Sequence, residues 1–390
     1  MSPPPAAPYG RLAGFYFTYF ATVGALAPYF NLYLEALDYS PGEIGEATAM
    51  LVAGRIVAPA LWGWVADRSG HRLLIVRYTL LLAALTFALV LGTRQFAPMA
   101  GVLLLYGVFW SASLPQFEVI TLNHLGAHVD DYSRIRLWGS VGFIATASLL
   151  GVLLERVGID WLPAILLALI AGVWVSSLLV SAPPTSSVPS AHLSLRAVLR
   201  QPRVLALLAT LLLMQLSYGP YYAFYTIFLD HHGYSRATIG LLWSLGVVAE
   251  IALFLVMGRL LPAWGLRRLM LVSLAAGLVR WVMIGEGVEL LWVLILAQIL
   301  HAGSFGMHHA AAVQYVHRYF TGALQGRGQA LYSSIAYGLG GALGVYATGY
   351  LWTAIGPGLT YVVAATLCAL AWVIAWQGLR ETAAARARRT

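Results

Sequence analysis

Glu118 and Arg136 are charged residues of opposite sign that lie in neighbouring apolar stretches of the chain. Each stretch is long enough to cross a membrane as a helix, and the polar turn 128–133 separates them. If both stretches cross, the two charges lie on adjacent antiparallel helices and can face each other. A charge in the bilayer costs about 2.5–3.5 kcal/mol even on lenient insertion scales. The pair is therefore a candidate for substrate binding and for proton transfer.

Two further side chains could carry a proton across the membrane. Glu250 lies in an apolar stretch, where a carboxylate can bind or release a proton as its surroundings alternate between apolar contacts and an arginine. His301 is the second candidate, because imidazole titrates near neutral pH. A buried histidine can equally be a packing residue, so both interpretations of His301 stay open.

Arginines could hold the carboxylate of a substrate. Arg55 and Arg136 lie within apolar stretches, and a guanidinium is always charged and binds a carboxylate through two hydrogen bonds. A structural ion pair with Glu118 or Glu250 is the alternative role. Arg280 lies toward the outer end of its stretch, where a long side chain can snorkel to the membrane surface, so we rank it lower.

Aromatic side chains could pack on an apolar substrate body. The chain has 13 Trp, 21 Tyr and 14 Phe, so many of its rings must serve packing or the membrane interface instead. The candidates for substrate contact are Tyr29, Phe30, Phe143, Tyr221 and Tyr222.

The histidines do not form a metal-binding pattern. His301 lies seven and eight residues before His308 and His309, which places them two helical turns apart, about 10 Å. Zinc bonds are only about 2 Å long, and the chain has no HExxH motif. The single cysteine, Cys368, excludes an intrachain disulfide. We expect no metal and no cofactor.

The composition places these residues in a membrane protein. Of 390 residues, 60% are hydrophobic and 10% are charged, whereas soluble domains have about 25% charged residues. Apolar runs of about 20 residues recur along the whole chain and predict an all-α integral membrane protein with twelve transmembrane helices in two six-helix bundles. The predicted spans are 11–36, 43–66, 72–92, 97–124, 134–155, 160–181, 203–230, 236–260, 266–286, 289–318, 327–354 and 357–379.

A polar connector divides the chain into two halves. Residues 182–202 are rich in Pro, Ser and Arg and predict a cytoplasmic linker between an N-terminal bundle, 1–181, and a C-terminal bundle, 203–390. All 23 basic residues are arginine, and the predicted loops place seventeen on one side and three on the other. Because basic residues favour the cytoplasmic side, we expect both termini to be cytoplasmic. Confinement of the arginines to short loops argues against a nucleic-acid partner.

The halves are related by an internal repeat. Tyr39 and Ser40 match Tyr234 and Ser235, and the register continues without gaps for some thirty residues. In that register Arg55 falls opposite Glu250. Duplicated halves are a pattern of secondary transporters, whose binding sites lie near the bilayer midplane.

The loop after the second predicted span carries a recognisable motif. It resembles the Gly-x-x-x-Asp-Arg-x-Gly-Arg-Arg loop of the major facilitator superfamily. The resemblance implies that this loop is a cytoplasmic gate that rearranges during alternating access. The matching residues are Gly63, Asp67, Arg68, Gly70 and Arg72.

A narrower resemblance lies within the predicted membrane spans. Glu118, Arg136 and Phe143 are similar to the acid, arginine and stacking aromatic of the lactose permease group, which contact substrate there. The runs 136–141, 242–250, 279–281 and 298–301 resemble the phenylpropionate permease branch, a relative of that group and of nucleoside–proton symporters. In this superfamily the fifth and eighth helices face each other, which would place Arg136 between Glu118 and Glu250. Ser304 stands where the lactose permease group has a proton-carrying acid.

The resemblance implies a secondary transporter rather than an enzyme. The favoured function is uptake of a small organic or aromatic carboxylate, such as a phenylpropionate-like acid, together with protons. A sugar or nucleoside symporter, a drug exporter and a non-transporting membrane sensor are the alternatives. Without lysine the chain cannot form an ATP-binding P-loop. The expected location is a bacterial inner membrane. The expected partners are the lipid bilayer, the substrate and protons, and we expect the protein to be a monomer.

Overall fold

The structure, a computed structural model, describes residues 8–126, 128–182 and 195–380. These residues form helices joined by turns. The long helical stretches are Tyr9–Ala36 (α1), Pro41–Ser69 (α2), Arg72–Gly92 (α3), Phe96–Leu125 (α4), Tyr132–Val157 (α5), Leu162–Leu178 (α6), Pro202–His231 (α7), 236–264 (α8), 266–286 (α9), Leu291–Tyr319 (α10), 325–355 (α11) and Pro357–Gly378 (α12). Short helices lie at Val129–Asp131, Ile159–Trp161, Leu195–Leu199 and Gly322–Leu324.

All twelve predicted spans coincide with helical stretches, which confirms the all-α membrane fold. Within Arg236–Glu286, the predicted spans 236–260 and 266–286 form α8 and α9, which are separated by a kink at Gly265. Gly265 has φ 75° and ψ 156°, a conformation that glycine adopts readily. Nine long helices in the described ranges are apolar enough to cross a membrane, and Arg236–Glu286, at 51 residues, is one of them. At 1.5 Å per residue, that length supplies two crossings.

Two helices contain a π-helical turn. Ala302–Met307 interrupts α10, and Ser334–Gly340 interrupts α11. Both segments contain two glycines, which lower the steric cost of a widened turn. Such turns are frequently found at functional sites.

The ends of α2 follow from local signals in the sequence. The Ser40 hydroxyl accepts a hydrogen bond from the Glu43 backbone N–H at 3.3 Å, and the Glu43 carboxylate accepts one from the Ser40 N–H at 2.9 Å. This capping box satisfies backbone donors that the first helical turn leaves unpaired. Gly70 ends the helix in the left-handed conformation, with φ 69°.

The residues group by contacts into two units. The first lies within Met1–Pro189 and Gly233–Ser244, and the second within Ser190–His232 and Leu245–Thr390. The predicted bundle boundaries, 1–181 and 203–390, stay a prediction. Most of the predicted linker 182–202 lies outside the described residues, which resume with the short helix at Leu195.

Glycines allow close helix contacts within the first unit. A Cβ atom on Gly54 of α2 would overlap the backbone of Gly107 in α4, and one on Gly107 would overlap the backbone of Leu51. Likewise, a Cβ atom on Gly142 of α5 would overlap the Phe17 carbonyl of α1. Small residues are the usual means by which membrane helices approach closely. These contacts fix the positions of α4 and α5, which carry Glu118 and Arg136.

The start of α8 belongs to the same unit. The Ser148 and Ser244 hydroxyls lie 2.7 Å apart, and the Arg236 guanidinium donates to the Leu154 carbonyl at 2.9 Å. The Ala237 N–H donates to the Glu155 carboxylate at 3.0 Å. These contacts hold the first turns of α8 against the C-terminal half of α5.

Candidate functional site

Arg55, Glu118 and Arg136 converge in the first unit. All three charges lie within electrostatic range of the Tyr19 hydroxyl. The Tyr19 side chain is buried. Tyr19 comes from α1, while the charged residues come from α2, α4 and α5. Arg55 is exposed, and Glu118 and Arg136 are half-buried. The structure thus brings together three of the residues that the sequence selected.

Arg136 stacks on aromatic rings. Its guanidinium lies 3.9 Å from the centre of the Phe20 ring and 5.7 Å from that of Tyr16. Glu118 instead accepts a hydrogen bond from the Tyr132 hydroxyl at 3.3 Å. In the described part of the chain no hydrogen bond joins Glu118 to Arg136. The two groups therefore influence each other through space, and each keeps hydrogen-bonding capacity for a substrate or a proton.

Gly139 provides the space that the Arg136 side chain occupies. A Cβ atom on Gly139 would lie 2.8 Å from Arg136 Nη1 and 2.7 Å from Phe20 Cδ2. Phe143, one turn later, is buried, and its carbonyl would meet a Cβ atom on Gly24 of α1 at 2.6 Å. The substrate-stacking role of Phe143 stays a prediction.

Replacing Gly139 with alanine should displace the Arg136 guanidinium. Misplacing a group that binds or orients substrate by about 1 Å can cost up to 100-fold, and we expect Gly139→Ala to lower the initial transport rate about ten-fold. Ser140→Ala is the matched control, because it changes the neighbouring helix position without filling this space. Equal rates for wild type and Gly139→Ala would show that the stacked position of Arg136 is not needed.

Glu250 and His301 meet in the second unit. Glu250 Oε2 lies 3.9 Å from His301 Nε2, and the two side chains are 18% and 8% exposed. That distance is too long for a hydrogen bond, so a shift of about 1 Å would make or break one. The structure places two of the predicted proton carriers side by side.

The π-helical turn that follows His301 makes room for Glu250. A Cβ atom on Gly306 would lie 3.0 Å from Glu250 Cγ. The His301 ring stacks on Phe305, with ring centres 5.2 Å apart, and on Tyr221, with ring centres 5.8 Å apart. These stacks restrict the plane of the imidazole, whose Nε2 atom is the one near the carboxylate.

Arg280 does not snorkel, so that expectation was wrong. The side chain is fully buried, and its Nε donates to the Ala297 carbonyl at 3.0 Å. The guanidinium lies 4.2 Å from the ring centre of Tyr221 and 4.6 Å from that of Trp281. Aromatic faces stabilise the cation electrostatically, which compensates for part of its loss of hydration.

Tyr222, a predicted substrate contact, is half-buried in the same aromatic cluster. Its ring centre lies 5.6 Å from that of Tyr218 and 5.5 Å from that of Tyr221. Tyr218 in turn hydrogen-bonds with Ser304 at 2.9 Å. Ser304 therefore supports an aromatic side chain at the position where the lactose permease group has an acid.

The other two histidines of α10 make local contacts. His308 Nδ1 lies 3.3 Å from the Ser273 hydroxyl, and His309 Nδ1 lies 3.0 Å from the hydroxyls of Tyr332 and Tyr337. Within the described ranges, no group of three His, Cys, Asp or Glu residues is arranged to hold a metal ion.

The predicted gate motif joins three helices. The Arg72 guanidinium donates to Asp67 at the end of α2 and to Gln116 of α4. The Arg68 guanidinium lies 5.6 Å from the Trp64 ring centre. A Cβ atom on Gly63 would lie 3.5 Å from the Gln116 amide. The Arg72 contacts link the start of α3 to α2 and α4, and the gating role of the motif stays a prediction.

Asp67→Asn should slow transport without affecting folding. An exposed ion pair contributes about 0–1 kcal/mol to stability, and Asp67 is 70% exposed. We expect the initial transport rate to fall about ten-fold, with substrate affinity and melting temperature close to those of wild type, because the conformational exchange is what changes. Asp130→Asn, at another exposed acid, is the control. A wild-type rate in Asp67→Asn would argue against the gating role.

The fold and these two clusters define a multi-pass membrane transporter of the major facilitator type. The profile described as "MFS_1 like family" matches residues 9–363. The chain therefore belongs to this family.

Individual relatives are transporters. The chain is 31% identical over 364 residues to the "Probable 3-phenylpropionic acid transporter" of Escherichia coli (strain K12). This match covers 90% of the chain and 92% of that protein. It is 28% identical to the "Maltose permease" of Geobacillus stearothermophilus, with 86% of each chain covered. The solved structure of the nucleoside transporter NupG (D323A mutant) has a TM-score of 0.84 at 19% identity, covering 95% of this chain and 100% of that one. The last likeness shows the fold alone.

Proposed function

We propose that the protein imports a small organic or aromatic carboxylate, of the type of 3-phenylpropionate, together with protons. The observation that carries the proton coupling is the contact between Glu250 and His301, two titratable groups 3.9 Å apart in a largely buried part of the second unit. Because an ion pair forms only when the imidazole is protonated, this contact links proton occupancy to the local arrangement of α8 and α10.

The carboxylate substrate is supported by two observations. One is the identity of 31% over 364 residues to a protein named for 3-phenylpropionic acid. The other is the set of arginines in the apolar spans, Arg55, Arg136 and Arg280, which can neutralise an anion there. The seventeen-to-three distribution of loop arginines supports a bacterial inner-membrane protein with both termini in the cytoplasm. We further propose that it acts as a monomer and not as an enzyme.

Uptake into vesicles tests this function. Purified protein is reconstituted, and the initial uptake rate of labelled 3-phenylpropionate is measured with the exterior more acidic than the lumen. Protein-free vesicles are the control, because a weak acid also crosses lipid in its neutral form. We expect the protein to increase the initial rate, and the pH gradient to increase that protein-dependent part. Uptake that the protein does not accelerate would contradict the proposal.

A sugar symporter is the second candidate, because the chain is 28% identical to a maltose permease over 346 residues. Competition in the same vesicles distinguishes the two. Unlabelled 3-phenylpropionate should inhibit uptake of the labelled acid, while maltose and uridine should not. Labelled maltose accumulating under the pH gradient would favour the sugar symporter.

A further inference from the structure

Arg280 of α9 stands apart from the other arginines of the membrane spans. It is fully buried, whereas Arg55 is exposed and Arg136 is half-buried near Glu118. In the described part of the chain no carboxylate lies within 4.0 Å of the Arg280 guanidinium. Glu250 acts electrostatically on the same Tyr221 hydroxyl as Arg280, but it is not in contact with the guanidinium. A buried charge without a contacting counterion is strongly unfavourable. The aromatic rings, the Ala297 carbonyl and the nearby oxygens of Tyr221 and Gln298 stabilise it only in part.

The hydrogen-bonding capacity of this guanidinium is also incomplete. Nε donates to the Ala297 carbonyl at 3.0 Å, and Nη2 lies 3.4 Å from Gln298 Oε1, at the limit of a hydrogen bond. Nη1 is buried and has no hydrogen-bond partner. Nearly all buried polar groups in folded proteins are paired, so the unpaired nitrogen of this buried cation is a donor that a bound acceptor can satisfy.

Gln298, on α10, presents a second unpaired donor beside it. Its Oε1 accepts from the Tyr221 hydroxyl at 3.2 Å and faces Arg280, which can only donate. The amide orientation is therefore determined, and Nε2 is left buried without an acceptor. The Nδ1 atom of His301, one turn further along, is also buried and unpaired.

We propose that Arg280 and Gln298 form the subsite that receives the carboxylate of the transported acid. One carboxylate oxygen would accept from Arg280 Nη1 and the other from Gln298 Nε2. A water molecule could satisfy the same donors, but only an anion also neutralises the charge. The inference rests on the proposed function in that the anion is taken to be the transported substrate.

The subsite would also place the substrate close to the proposed proton carriers. Arg280 lies within electrostatic range of His301, whose Nε2 faces Glu250. An anion bound at Arg280 would reduce the positive potential at the imidazole and so favour its protonation. Substrate binding and proton binding would then promote each other, as symport requires.

Equilibrium binding to the purified full-length protein tests the subsite. The probe is 3-phenylpropionate, measured by calorimetry, and its neutral amide, 3-phenylpropionamide, is the ligand control. Arg280→Gln removes the charge, and Arg280→Lys retains it without the planar fork. Gln298→Glu places a carboxylate beside Arg280. This side-chain carboxylate should take the place of the substrate carboxylate. Arg156→Gln, at an exposed arginine, is the control for loss of a positive charge.

Folding of these variants is separable from binding. Arg280→Gln removes an unpaired buried charge, and Gln298→Glu supplies its counterion, so neither should unfold the protein. Each variant is first checked for a single sharp peak in size-exclusion chromatography and for a wild-type or higher melting temperature. A variant that fails this check is replaced in the comparison by Arg280→Lys.

The predicted result is a loss of affinity for 3-phenylpropionate of about 100-fold in Arg280→Gln and Gln298→Glu, as expected for losing charge-assisted hydrogen bonds in a buried site. Arg280→Lys should lose about ten-fold, because the ammonium retains the charge but not the paired geometry. Arg156→Gln should bind as wild type, and the amide should bind weakly to every form.

Two results would overturn the inference, and they differ in what they say about the function. If wild type binds 3-phenylpropionate and Arg280→Gln and Gln298→Glu bind it equally well, the subsite is wrong while the carboxylate substrate stands. If wild type binds maltose or uridine but neither 3-phenylpropionate nor benzoate, both the subsite and the proposed substrate class are wrong.

Discussion

Replacing Glu250 with glutamine should abolish proton-driven uptake while leaving substrate exchange intact. The amide has nearly the same shape as the carboxyl group, so contacts with Gly306 and His301 can persist. It cannot take up or release a proton at physiological pH, however. Loss of a proton-transferring group typically costs 100-fold or more, and we expect the gradient-driven initial rate to fall about 100-fold.

Exchange of labelled for unlabelled substrate, with no pH gradient, separates coupling from binding. A transporter that stays loaded with its proton, or an amide that mimics the protonated acid, can still exchange substrate across the membrane. We therefore expect exchange in Glu250→Gln within about three-fold of wild type, and Glu289→Gln, at an exposed acid, to behave as wild type in both assays. Gradient-driven uptake by Glu250→Gln at the wild-type rate would exclude Glu250 as the proton carrier.

Replacing Glu118 with glutamine should also abolish gradient-driven uptake, for a different physical reason. The glutamine oxygen can still accept the hydrogen bond from Tyr132, so the local structure should persist. The negative charge that balances Arg136 within the bilayer would be lost. We expect the unbalanced charge of Arg136 to attract the anionic substrate through space, without replacing its contacts with Arg280 and Gln298, and gradient-driven uptake to fall about 100-fold, on the scale of lost acid–base groups.

Glu118→Gln and Glu250→Gln should have different effects on the rate of substrate exchange. Stronger electrostatic retention of the substrate by the unbalanced Arg136 charge should slow exchange as well, whereas Glu250→Gln should leave exchange nearly unchanged. Slow exchange in Glu118→Gln with a tighter dissociation constant is the expected pattern. Normal gradient-driven uptake in Glu118→Gln would remove this residue from the coupling mechanism, and weaker substrate binding would contradict its proposed effect on Arg136.

The membrane spans could be predicted closely because lipid imposes a simple rule. A segment must be apolar for about 20 residues and must satisfy its own backbone hydrogen bonds as a helix. The predicted span 97–124 and the observed Phe96–Leu125 differ by one residue at each end. The predicted spans 236–260 and 266–286 likewise match two helices, which a kink at Gly265 separates.

The candidate site was predictable only in part. Charges in apolar stretches are conspicuous in the sequence, so Glu118, Arg136, Glu250 and His301 could be selected directly. The burial of Arg280 could not, because it depends on Tyr221 and on the Ala297 carbonyl, which belong to other helices. The one sign of this burial in the sequence was the neighbouring pair Arg280 and Trp281, since arginine and tryptophan side chains commonly stack.

The geometry of the selected residues also required the structure. Sequence spacing places Glu118 and Arg136 on adjacent helices, but not the Phe20 ring on which Arg136 stacks. The space for that stack exists because position 139 is glycine. Similarly, the approach of Glu250 to His301 depends on Gly306 within a π-helical turn, which has no reliable sequence signature.

Proton movement during substrate entry distinguishes proton-coupled uptake from uncoupled entry of the acid. Vesicles containing the protein and a trapped pH-sensitive dye receive 3-phenylpropionate from outside with no pH gradient imposed, and protein-free vesicles give the background of neutral acid crossing the lipid. If Glu250 carries a proton with the substrate, wild type should acidify the lumen faster than the background and Glu250→Gln should not. Protein-dependent entry of 3-phenylpropionate into wild-type vesicles, with acidification no faster than in protein-free vesicles, would contradict proton coupling.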